Sequence, residues 1–172
     1  RGVGDGGAEG RRPLWRGSGE KRAKYAEGGE PRQRAVGNGH VEALQSLLQM
    51  GAEIKAKNAE GKTRLHIGVD NGDVEAMKTL LQLSADIQAR NAAGGTPLHA
   101  AAVNGHVDAV KTLVELSANI DAKNADGGTP LHQAAGYGHV EALKTLLQLS
   151  AGIQAKTADG ETPLHFASAN GH

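Results

Sequence analysis

Gly95-Thr96-Pro97-Leu98-His99-Ala100-Ala101-Ala102-Val103-Asn104-Gly105-His106 decides how the rest of the chain is read. It returns as Gly128-Thr129-Pro130-Leu131-His132 with Gly138-His139, and as Glu161-Thr162-Pro163-Leu164-His165 with Gly171-His172. A weaker copy, Lys62-Thr63-Arg64-Leu65-His66 with Gly72-Asp73, precedes them. His66, His99, His132 and His165 are spaced by 33 residues, as are Gly39, Gly72, Gly105, Gly138 and Gly171. A fixed period of this length is the mark of a repeat architecture.

The stretch also states its own local structure. Thr96 is a good helix N-cap and Pro97 suits the first helical position, where its missing N–H costs nothing. His99 stands where a capping box carries Glu or Gln, so its ring can turn back to the cap. Gly105 closes the helix by taking a left-handed conformation. Ala101 and Ala102 let this short helix approach a neighbour closely.

A second helix follows in each copy. Val74, Met77, Leu80 and Leu81 match Val107, Val110, Leu113 and Val114, then Val140, Leu143, Leu146 and Leu147. Their spacing puts them on one face, which is core, and leaves Lys78, Lys111 and Lys144 on the solvent side. Ser84, Ser117 and Ser150 end these helices where Gly51 stands in the first copy; Ser is less comfortable than Gly in a left-handed cap, so the expectation is of ends that are either strained or differently closed. Asp-Gly, Glu-Gly and Ala-Gly steps then mark turns. They predict an extended, hairpin-like finger with Ile54, Ile87, Ile120 and Ile153 tucked inward.

A Thr-Pro-Leu-His core recurring in this register resembles the ankyrin repeat, from about residue 28 to the last residue. The resemblance implies an all-α solenoid of stacked helix-turn-helix units with β-hairpin-like finger loops. Its repeats cover about residues 28–59, 60–92, 93–125, 126–158 and a partial 159–172. It also implies that the Thr and His residues of the motif bond locally and tie neighbouring repeats together. In the first repeat Glu30-Pro31-Arg32-Gln33 replaces the motif, which reads as a polar N-terminal cap. Arg64 occupies the Pro position of the second repeat. From the backbone alone, Arg64→Pro is expected to stabilise by about 0.4 to 1 kcal/mol.

Residues 1–27 are Gly- and Arg-rich without apolar period, which predicts a disordered tail. Residues 1–34 carry nine Lys or Arg against five Asp or Glu, and the remainder ten against fourteen. Arg11, Arg12, Arg16, Lys21, Arg22 and Lys24 could form an arm for nucleic acid or an anionic membrane, although a solvated linker explains them as well. Gly2-Val3-Gly4-Asp5-Gly6-Gly7 matches a dinucleotide fingerprint in letters only, since no strand precedes it and no helix follows.

The chain has no Cys, no secretory signal and no apolar run long enough for a membrane span of roughly 20 residues, which fits a cytoplasmic setting. It opens on Arg1 and stops at His172 partway through a repeat, and so reads as a piece of a longer polypeptide. All eight His occupy the two His positions of the repeat, so structure accounts for them before metal or acid–base chemistry does. No nucleophile, phosphate-loop or paired-carboxylate motif occurs. The reading is therefore of a monomeric, non-enzymatic chain without cofactor, metal or small-molecule ligand.

What differs between otherwise like copies is free of the stacking constraint. At the finger tips these residues are Glu60 and Lys62, Ala93 and Gly95, Asp126 and Gly128, Asp159 and Glu161. Along the first helices they are Ile67, Asp70 and Asn71; Ala100, Val103 and Asn104; Gln133, Gly136 and Tyr137; Phe166, Ala169 and Asn170. The resemblance implies that these positions line a concave groove for a partner protein. Tyr137 and Phe166 are its natural anchors. A scaffold or adaptor surface is the first functional reading. A regulatory or targeting region of a larger enzyme or channel is the second, and a nucleic-acid or membrane contact through the tail is the third.

Overall fold

The computed structural model describes residues 54–172 and, before them, Glu42, Gln45 and Ser46, which are helical and exposed. The tail, the N-terminal cap and Gly51 lie outside the described residues. Over 54–172 the chain forms α1 (Arg64–Asp70), α2 (Val74–Gln82), α3 (Pro97–Asn104), α4 (Val107–Glu115), α5 (Pro130–Gly136), α6 (Val140–Gln148) and α7 (Pro163–Ala169). Helices pack within the pairs α1/α2, α3/α4 and α5/α6. First helices stack as α1, α3, α5, α7 and second helices as α2, α4, α6. The result is a solenoid of two helical layers with its core between them.

Part of the apolar set read from the sequence forms that core; Val140, at the start of the last stacked second helix, is 57% exposed and departs from the expected core position, and Val74, Leu81, Val107, Val114, Leu143 and Leu147 are half-buried. Leu65, Met77, Leu80, Leu98, Val110, Leu113, Leu131 and Leu146 are buried, with Ala76, Ala101, Ala102, Ala109, Ala134 and Ala142 filling the close contacts. Burial of such side chains stabilises by about 1.5 to 3 kcal/mol each for the large ones. Lys78, Lys111 and Lys144 are exposed, as the helical spacing requires.

The second helices end in one way. Leu83, Leu116 and Leu149 cap them, and Ser84, Ser117 and Ser150 follow with φ of 71°, 76° and 75°. The amide of Ala85 returns to the Leu80 carbonyl at 2.9 Å and that of Ser84 to Leu81 at 3.0 Å, a Schellman closure. The serines therefore adopt the left-handed backbone that Gly would take without strain.

The fingers are turns, and no β-strand occurs among the described residues. Each is closed at its base, as by the Asn91 amide on the Gly95 carbonyl at 2.9 Å, and each tip bonds to the next. Ala92 N–H donates to Glu60 O, Ala125 N–H to Ala93 O and Ala158 N–H to Asp126 O, all at 3.0 Å. Ile54, Ile87 and Ile120 are half-buried against the core, but Ile153 is 57% exposed and departs from the expected inward position.

Arg64 divides the expectation made for it. Its helix starts like the others, since Thr63 caps α1 with φ −84° and ψ 173° against −91° and 170° for Thr96. Its side chain, however, is wholly buried. Arg64→Pro thus removes a buried side chain as well as changing the backbone, and the expected stabilisation does not carry over.

Candidate functional site

The motif His residues come first because they set the spacing of the groove. In α3 the Thr96 amide donates to His99 Nδ1 at 3.1 Å, and Nε2 lies 3.0 Å from the Gly128 carbonyl in the next repeat. An amide can only donate and a carbonyl can only accept. The ring is therefore neutral, with its proton on Nε2. His66 makes the same pair of contacts to Thr63 and Gly95, and His132 to Thr129 and Glu161. Burial disfavours the imidazolium and lowers the pKa of His66 and His99 below the ordinary 6.5, against the opposing pull of the carbonyl bonds.

The second His position works in the opposite direction. His106 Nε2 reaches back to the Asp70 carbonyl at 3.0 Å and His139 Nε2 to Val103 at 2.8 Å. Gly105 has φ 69°, and a Cβ on it would lie 2.7 Å from His139 Nδ1, so the position needs Gly for conformation and for room. A third ladder runs along the fingers. Lys57 donates to Arg90 O at 2.8 Å, Arg90 to Lys123 O at 2.6 Å and Lys123 to Lys156 O at 3.0 Å. Sequence reasoning missed it, although a cation recurring every 33 residues at 57, 90, 123 and 156 is its signal.

On this frame the variable positions fall into two groups. In the second repeat, Lys62 pairs with Asp70 at 2.7 Å and with Glu60 at 3.2 Å. Burial works against the Lys62 ammonium, yet the hydrogen bond and charge of Asp70 leave its pKa above the ordinary 10.5. Asn104 adds a contact to Asp70 at 3.2 Å, so four of the expected tip and groove residues, Glu60, Lys62, Asp70 and Asn104, form one internal network. Ile67 is a correction. It is only 7% exposed and belongs to the core cluster, because an Ile at this position is apolar and large enough to fill the space beneath α1.

The other group forms a depression of about 510 Å³ between α5 and α7, lined by His132, Gln133, Gly136, Tyr137, Phe166, Asn170 and His172. Phe166 is half-buried, with its ring edge-to-face on His132 at 5.1 Å. A Cβ on Gly136 would stand 3.3 Å from Phe166 Cδ2, so the missing side chain keeps that ring in place. Tyr137 is 59% exposed and lies parallel to the His139 ring at 6.3 Å. Asn71, Asn104 and Asn170, at the equivalent position in other repeats, turn their amides onto the carbonyls of Ile67, Ala100 and Phe166 at 2.8, 2.9 and 2.9 Å. Tyr137 gives up that helix-end bond and projects a ring instead. Ala100 and Val103 are half-buried between the two groups, and Ala169, Asp126 and Asp159 are exposed.

Among the described residues no group of three His, Cys, Asp or Glu could hold a metal ion, and no helix is long and apolar enough to cross a membrane.

A solenoid of helix pairs joined by fingers and tied by paired His ladders is a stacked helical repeat protein. The sequence matches the family described as Ankyrin repeats (3 copies) over residues 18–91, 33–124 and 116–172, and the chain belongs to that family. Its members are generally protein–protein interaction modules and typically non-catalytic. None of the curated proteins compared with the chain matches it.

Proposed function

We propose that this chain is a non-catalytic adaptor surface that holds a partner protein across the finger tips and first helices, chiefly of its fourth and fifth repeats. The observation that carries this is the meeting of Gln133, Tyr137, Phe166 and Asn170, which occupy two repeat positions that differ between copies, around one depression. A stack of like units can be specific only where its units differ. Tyr137, where other repeats place a helix-capping Asn, is exposed and makes no side-chain hydrogen bond among the described residues.

The test compares two variants against a partner recovered by pull-down, each first shown to melt like the parent. Tyr137→Ala should weaken binding by about 2 kcal/mol if the ring is a hot spot. Lys111→Ala, on the solvent face of α4, should leave it unchanged. A critical Lys111 with a dispensable Tyr137 would assign recognition to the second helices and remove the groove reading.

A further inference from the structure

The charge of the inner face changes from copy to copy, and this names the chemistry of the partner. In the second repeat, residues 60–73 hold Glu60, Asp70 and Asp73 with Lys62 and Arg64, and Lys62 is engaged by Glu60 and Asp70. In the third, residues 93–106 hold no Asp, Glu, Lys or Arg. In the fourth and fifth, residues 126–139 and 157–172 hold Asp126, Asp159 and Glu161 and no Lys or Arg. The nearest cations along the fingers are Lys123 and Lys156, each three residues before the tip Asp; Lys123 turns along the stack to the Lys156 carbonyl, and Lys156 is exposed.

None of these three carboxylates lines the depression; they stand on the finger tips and at the start of the first helices of the same two repeats. The Ala158 amide bonds to the Asp126 carbonyl, which places the tips bearing Asp126 and Asp159 side by side. The Glu161 carbonyl accepts from His132 Nε2, and the same His132 ring packs on Phe166. Asp126 and Asp159 are exposed and Glu161 half-exposed, and among the described residues none of the three side chains makes an ion pair or hydrogen bond. The aromatic depression thus belongs to the same two repeats whose finger tips carry negative charge that the fold itself does not use, and the Glu161 backbone, bonded to His132, connects the two.

Resting on the adaptor reading above, we infer that the partner presents a segment with one apolar side chain flanked by Arg or Lys. The apolar group enters between Tyr137 and Phe166, and the flanking cations face Asp126, Asp159 and Glu161. An Arg over the exposed Tyr137 ring would gain further from its π-face. Charge complementarity of this kind favours encounter and rejects acidic competitors.

The test selects peptides from a random display library on the immobilised full chain. Enrichment of an apolar residue flanked by Arg or Lys is expected. A selected peptide, labelled and measured by anisotropy, should bind about tenfold more weakly to the triple variant Asp126→Asn, Asp159→Asn, Glu161→Gln, as for a few surface ion pairs, and its salt dependence should flatten. The three carboxylates hold nothing in the fold, so this variant should melt like the parent. Tyr137→Ala should abolish enrichment. Tyr137-dependent capture of neutral or acidic peptides overturns the inference and leaves the adaptor reading standing. Capture that ignores Tyr137, or no enrichment, removes the groove and the inference together. Arg11, Arg12, Leu14, Trp15 and Arg16 give this chain a segment of the same make-up, and Trp15 is its single Trp. A shift of Trp15 emission on Tyr137→Ala would assign the depression to that segment and overturn a separate partner.

Discussion

Replacing His132 by Ala tests the ladder on which the stack depends. The ring is inaccessible to solvent, accepts from the Thr129 amide at 3.1 Å, meets the Thr129 hydroxyl at 2.9 Å and reaches the Glu161 carbonyl at 2.9 Å. His132→Ala removes the local cap and the bridge to the next repeat, leaves the buried Thr129 amide without its acceptor and opens space beside Phe166. Two hydrogen bonds at a net of about 1 kcal/mol each, with a further desolvation cost for the orphaned amide, give about 3 kcal/mol. His165 is the internal control. It keeps the local bonds, with Thr162 N–H to Nδ1 at 3.1 Å, but its ring is exposed. His165→Ala should therefore cost well under 1 kcal/mol, as for a solvated polar contact. Urea unfolding followed by circular dichroism would read both. His132→Gln adds a third point, because Gln can complete a capping box but is not shaped to bridge to the next repeat. It should recover about half of the loss. Equal costs for His132 and His165 would mean that the cap, and not the bridge, carries the stability, and an unchanged midpoint for His132→Ala would refute the reasoning altogether.

The remaining expectations follow from the same ladders and caps. The folded pKa of His66 and His99 lies below the ordinary 6.5, so between the two values the unfolded chain takes up protons that the folded chain does not. Stability is full above about 6.5 and is lost as pH falls below it, so the urea midpoint should drop between about pH 7.5 and pH 5.5; an acid-insensitive midpoint would contradict the neutral ring assignment. Ser117 holds φ 76°, so Ser117→Gly should stabilise by about 0.5 to 1 kcal/mol in thermal or urea unfolding, and a loss of stability would show that the Ser side chain contributes more than its strain removes.

The parts of the fold legible in the sequence are those that every copy must repeat. Stacking asks the same of each unit, so Thr, Pro, Leu, His and Gly recur in register and declare both helix starts and the forward bridge from His66, His99 and His132. Left-handed closure at Ser84, Ser117 and Ser150 was legible only as one of two options, since the position calls for it but Ser left a different closure open. What stayed hidden depends on side chains meeting between the finger and the helix of one unit or between units. The Lys62–Asp70 pair joins residues eight apart in sequence, and the Arg90–Lys123 bond residues 33 apart. Neither contact follows from helical or strand period. Ile67 varies among copies as a surface position would, with Ala100, Gln133 and Phe166 as its equivalents, yet it is buried. Variation shows that stacking tolerates several residues there; it does not show exposure.

The same distinction decides where this surface can recognise anything. A charged side chain already engaged within the fold offers a partner little, because binding must first break the bond it has. Asp70 holds Lys62 and Asn104, so the second repeat shows charge in its sequence but little free charge on its face. Asn71, Asn104 and Asn170 are polar in sequence, yet each commits its donor to a helix-end carbonyl. Gln133 and Tyr137 make no hydrogen bond through their side chains among the described residues, and the carboxylates of Asp126, Asp159 and Glu161 are likewise unengaged. All five lie on the fourth and fifth repeats. The proposed recognition is assigned there because groups left over by the fold coincide with an open depression, in which Gly136 and Phe166, unlike their counterparts Val103 and Gln133, form a small residue facing a ring.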